Sequence, residues 1–188
     1  MSAAETMVTA EAEEALRVMA HIRDSNREVA EVMLQMREGH GAASASTAKA
    51  LQRLEELPCL LGDFRFSDEA FWNDRVRGLT ADSPNAVASN VDLPMAQHLL
   101  SIAWHCGRAG VGPRLLLGIR REVGLLITTL RFRQLDAIAL TYAGEVRRRW
   151  DDVPQFWEQL LATAQHGSDE QWSRFQVHAL RLLGRESL

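Results

Sequence analysis

The side chains best suited to a chemical task in this chain are arginines. Arg147, Arg148 and Arg149 stand in a row, and Arg120, Arg121, Arg131 and Arg133 precede them closely. A guanidinium is planar, permanently charged and forked, so it fits phosphate and carboxylate. Held at helix ends and in loops, such groups contact DNA phosphates and give an affinity that falls with salt. The alternative reading is a solvated face, with Glu122, Asp136, Asp151 and Asp152 as the expected ion-pair partners. The sequence leaves both readings open, and the seven arginines are the candidate DNA contacts.

Other chemistry finds less support. His98 and His105 share a helix face and Cys106 adjoins them, but Asp92 is the nearest carboxylate and a metal site needs more ligands. Gly107-Arg-Ala-Gly-Val-Gly112 has the look of a phosphate loop. It follows a helix rather than a strand and lacks the Lys-Ser/Thr of a P-loop, so it reads as a turn. The adjacent acids Glu55-Glu56 and Asp151-Asp152 lie at helix borders, where capping accounts for them. No nucleophile and base stand at a suggestive spacing. The expectation is a protein that is not an enzyme and takes no cofactor or metal.

Composition sets the class. Of 188 residues, 46% are hydrophobic and 24% charged, which is a globular balance. The net charge of -4 is unevenly spread: residues 1–100 hold nine basic against sixteen acidic side chains, and the remainder twelve against nine. Cys59 and Cys106 make neither a disulfide framework nor a zinc site. The acidic start lacks the features of a signal peptide, and no apolar run is long enough for a membrane span. A cytoplasmic location is expected.

The elements that must position these residues read as helices. Residues 10–37 carry Ala12, Leu16, Met19, Ile22, Val29, Met33 and Met36 at three- and four-residue spacing without a Gly or Pro. Shorter helices are expected over 48–56, 96–106, 114–117, 120–129, 132–142, 153–164 and 169–183, and one more opens at Ser67-Asp68-Glu69 with the Ser67 hydroxyl as cap. Alternating strand patterns are absent. The fold class is all-α, with no sheet. Residues 1–10 read as a disordered tail, 11–80 as one helical unit, 81–92 as a linker rich in Ala, Ser, Asn and Asp, and 93–188 as a second unit.

Two segments look alike. Arg65-Phe66, Asp68 and Phe71-Trp72 in the first half answer Arg149-Trp150, Asp152 and Phe156-Trp157 in the second. A spacing of about eighty-five residues is too long for a solenoid repeat and suggests an old duplication. The Phe-Trp pairs read as matching core anchors rather than as an exposed partner groove. Met33, Met36 and Trp104 are the candidate partner contacts.

The order Leu117-Gly118-Ile119, Val123, Leu126, Leu130, Gln134-Leu135, Ile138-Ala139 and Arg149-Trp150 resembles the FlhD family of flagellar transcriptional activators. The first half echoes it more weakly, through His21-Ile22, Asp24-Ser25-Asn26, Cys59 and Phe64-Arg65-Phe66. The Leu-Gly-Ile element has no counterpart there. The resemblance implies an all-helical co-regulator that acts with an FlhC-type partner on promoter DNA. Because family members pair as homodimers, two copies in one chain imply a pseudo-dimer. Dimers in the family can be linked through a Cys, a role that only Cys59 could take here. A non-enzymatic helical adaptor or chaperone, for instance of a secretion apparatus, is the alternative that the acidic first half favours.

Overall fold

A computed structural model describes residues 3–38, 45–78, 93–109 and 111–186. The first helix, α1, is Ala3–Glu38, followed by α2 (Ala45–Glu55), strand β1 (Gly62–Asp63) and α3 (Glu69–Gly78). Then come α4 (Leu93–Ala109), α5 (Val111–Leu116), α6 (Arg121–Thr129) and α7 (Phe132–Tyr142). A 3-10 turn, Ala143–Glu145, leads to strand β2 (Arg147–Arg148), and α8 (Pro154–His166) and α9 (Asp169–Glu186) close the chain. The architecture is mainly helical, as expected.

Several boundaries differ from expectation for identifiable reasons. Within the expected tail, helix α1 is under way from Ala3, in a stretch of good helix formers free of Gly and Pro. The expected linker 81–92 lies outside the described residues. The expected absence of a sheet is corrected by a two-stranded antiparallel ladder, β1 with β2, in the register Gly62↔Arg148 and Asp63↔Arg147. Strands of two residues carry no alternation to detect. The cap of α3 is Asp68 rather than Ser67, since Asp68 Oδ1 accepts the Phe71 N–H at 2.9 Å. Helix α4 continues through Gly107, where a Cβ would stand 2.6 Å from Thr128 Cγ2, so the glycine lets α4 and α6 cross closely.

Two apolar cores form, and each draws on both halves of the chain. In one, Phe64, Phe66, Phe71 and Trp72 pack with Leu99 and Ala103 of α4, Val123 and Ile127 of α6 and Ile138 of α7. In the other, Leu54, Leu57, Cys59 and Leu61 pack with Phe156 and Leu160 of α8 and Trp172, Phe175 and Leu183 of α9. Helix α1 serves both, with Val18 and Ile22 in the first and Val29, Ala30 and Leu34 in the second. Between these groups its apolar stripe holds two buried polar residues, Ser25 and Asn26. Helix α2 packs on α8 and α3 on α6, so the span 81–92 does not divide one core from the other.

Candidate functional site

The arginine row sits on and just after β2, and the structure divides it. Arg149 is 3% exposed. Its Nε donates to Leu60 O at 2.9 Å, Nη2 to Leu117 O at 2.5 Å and Nη1 to Glu186 Oε2 at 2.8 Å. One guanidinium thus ties the approach to β1, the Leu117-Gly118-Ile119 turn and the end of α9. Gly118 adopts φ +60, and a Cβ on it would stand 2.0 Å from Arg149 Nη1. The glycine is required twice, by the left-handed backbone and by the guanidinium lying against it. Arg149 is therefore withdrawn from the DNA contacts proposed on sequence: its donors are consumed inside the protein.

Arg147 and Arg148 point outward. Arg147 Nε donates to Asp63 Oδ2 at 2.9 Å, and Asp63 Oδ1 accepts the Phe66 N–H at 3.1 Å. Arg148 pairs with Asp151 and lies over the Trp157 ring at 5.4 Å. Arg120 and Arg121 at the start of α6, and Arg131 and Arg133 at the start of α7, are exposed and take no ion pair among the described residues. Arg120 and Arg147 line one open hollow of about 680 Å³ with Ser67, Asp68, Glu69, Ala70 and Asn73. Arg148 thus pairs with one of the acids the sequence offered and Arg147 with Asp63, whereas the four helix-start arginines take no ion pair among the described residues.

The two look-alike segments form the same turn. Arg65 and Trp150 both have positive φ, 52° and 57°. Asp68 N donates to Arg65 O and Val153 N to Trp150 O, each at 2.9 Å. The indole of Trp72 donates to Arg65 O, and that of Trp157 to Arg149 O. Both Phe-Trp pairs are buried, as core anchors should be. Backbone geometry sets Arg65 level with Trp150, one residue away from the sequence pairing of Arg65 with Arg149. In the first turn Arg65 pairs with Asp68 and Glu145 and lies 4.6 Å over Phe71. The Phe71 N–H, and then Arg65, hold the Asp68 carboxyl below its ordinary range.

The partner-contact candidates separate as well. The side chains of Met33 and Met36 lie outside the described residues. Trp104 is half-buried, donates to Leu130 O at 3.0 Å and meets the Phe132 ring at 4.6 Å. Burial pushes the Cys59 thiol up to about 12, and no part of it reaches the surface for an intermolecular link. His98 and His105 are joined by His21 of α1, ring centroids 6.5 and 6.3 Å away, a third histidine that spacing on one helix does not reveal. Cys106 turns into the core, and no cluster among the described residues is arranged to hold a metal ion.

Sequence reading overlooked two positioning residues. Asn26 donates to Cys59 O at 2.9 Å and accepts the Leu61 N–H at 2.8 Å, which fixes the loop entering β1. Its signal was an amide within the apolar stripe of α1. Arg53, also buried, donates to Thr163 O and Gly167 O at 3.0 and 2.8 Å and so caps the C-terminus of α8.

No protein-family model matches the chain, and neither does any curated protein or solved structure.

Proposed function

We propose that the chain is a non-enzymatic helical co-regulator, resembling FlhD, that binds a protein partner and meets promoter DNA within that complex in the cytoplasm. The supporting observation is a group of four exposed arginines: Arg120 and Arg147 border a common hollow that Asp68 and Glu69 also line, Arg121 and Arg148 follow them in sequence, and Arg147 and Arg148 pair with Asp63 and Asp151. Helix α6 begins there, and its N-terminal partial charge favours phosphate. The role is scaffolding, with guanidiniums neutralising phosphates while helical faces hold the partner. We further propose that the halves are two copies of one unit, interleaved as a pseudo-dimer. The matching positive-φ turns and the reciprocal register of β1 with β2 support this reading.

Fluorescence anisotropy with a mixed-sequence duplex tests the DNA contact. Four phosphate contacts predict weak binding, near 10⁻⁴ M at physiological salt, with an affinity that falls about a hundredfold between 50 and 200 mM salt. Arg120→Ala with Arg121→Ala should halve the logarithmic slope. Salt-independent binding, or none, removes DNA from the proposal and leaves the adaptor reading. Light scattering tests the pseudo-dimer, which predicts a monomer; an obligate homodimer contradicts it.

A further inference from the structure

The end of α6 remote from the Arg120–Arg147 hollow carries a different surface. Phe132 is 54% exposed and Leu125 60% exposed, although both sit in helices that contribute to the apolar core. The Phe132 ring contacts Trp104, whose indole N–H is committed to Leu130 O, and the Arg108 guanidinium lies 4.3 Å from the centre of the Trp104 ring. Thr128, one turn beyond Leu125, touches α4 at Gly107, beside Arg108. Trp104 and Phe132 thus form an apolar patch across α4 and the start of α7, and Leu125 is exposed on α6 one turn before the Thr128 that meets α4.

Its border is basic. Arg108, Arg131 and Arg133 are exposed, and none has an ion pair among the described residues. An arginine stacked on an indole is held flat while its N–H edges stay available for carboxylates. Phosphates have no use for an exposed phenylalanine and leucine, whereas an amphipathic helix seats apolar anchors on such a surface and places its charges on the rim. We propose that this patch docks an acidic amphipathic helix of a partner protein, with apolar side chains on Leu125, Trp104 and Phe132 and carboxylates on Arg108, Arg131 and Arg133. The inference rests on the partner-binding part of the proposed function and is independent of its DNA part.

A phage-displayed library of peptides of about sixteen residues, long enough for four helical turns, is selected on the full chain. The recovered peptides are then measured by anisotropy. We expect Asp and Glu to flank apolar residues at three- and four-residue spacing. Phe132→Glu should weaken binding about tenfold or more, as loss of an aromatic anchor does, and Arg131→Glu with Arg133→Glu should also weaken it. Because these positions are exposed, the thermal midpoint should stay put, and duplex binding should survive Phe132→Glu. Recovery of no peptide, peptides without acidic bias, or affinity unchanged by Phe132→Glu overturns the proposal. A lost salt dependence toward DNA would sink only the DNA reading.

Discussion

Replacing Arg149 by methionine removes a buried charge and strands its acceptors. Leu60 O and Leu117 O lose donors at 2.9 and 2.5 Å, and Glu186 loses one at 2.8 Å. A buried acceptor left unsatisfied costs about 1–3 kcal/mol, and breaking a buried pair costs about 3–5 kcal/mol. Glu186 is partly exposed and regains water, so the lower part of that range applies, about 3–4 kcal/mol. With a urea slope of about 2 kcal/mol/M the midpoint should fall by roughly 1.5–2 M. Urea denaturation followed by tryptophan fluorescence reads this directly. Arg149→Lys keeps the charge but not the fork, so it should lie between methionine and wild type. Arg148→Met is the control: its pair is exposed, and the change should stay within about 0.5 kcal/mol. Gly118→Ala should also destabilise, and the two changes should be less than additive because removing the guanidinium clears the space the new Cβ needs. A loss under about 1 kcal/mol for Arg149→Met with an unchanged slope would refute the reasoning. So would a normal midpoint accompanied by lost DNA affinity.

Three further outcomes are expected. Asn26→Leu leaves the Leu61 N–H and Cys59 O unpaired in the core and should cost about 2–5 kcal/mol, read as a lowered urea midpoint. Asp68 has its carboxyl depressed in the folded state, so its charge adds stability that is present above the unfolded value near 4 and is lost as pH falls through the lower folded value. Asn also caps helices well, so the stability gap between wild type and Asp68→Asn should narrow on acidification from neutral pH to pH 3; a constant gap in pH-dependent melts contradicts this. Cys59, buried and raised to about 12, should resist iodoacetamide in the native protein at pH 8 and react once urea unfolds it; rapid native labelling seen by mass spectrometry would show that the burial is wrong.

The helices were legible because their apolar stripes repeat at helical spacing; residues 132–142 were placed to the residue as α7. The ladder was not, because its four residues are Gly, Asp and two arginines whose pairing depends on partners far along the chain. Arg149 illustrates the limit for the site. Three consecutive arginines are equivalent in a sequence, and only the turn that gives Trp150 its positive φ decides which one faces inward. Asn26 could have been found, since an amide inside an apolar stripe needs a buried partner. His21 could not, since its neighbours lie on another helix.

The interleaving of the cores has a consequence for biosynthesis. Phe64, Phe66 and Trp72 emerge from the ribosome before α4, α6 and α7, and Leu54 and Leu61 must wait for α9, which brings Leu183. At about 5–20 residues per second the first half stays uncovered for roughly 6–20 s. Neither core closes on nascent chain alone, so a truncated product is a sticky fragment rather than a smaller folded protein. Chaperone demand should therefore peak midway through translation, and ribosome stalling near the segment before α4 should provoke aggregation more than stalling near either end.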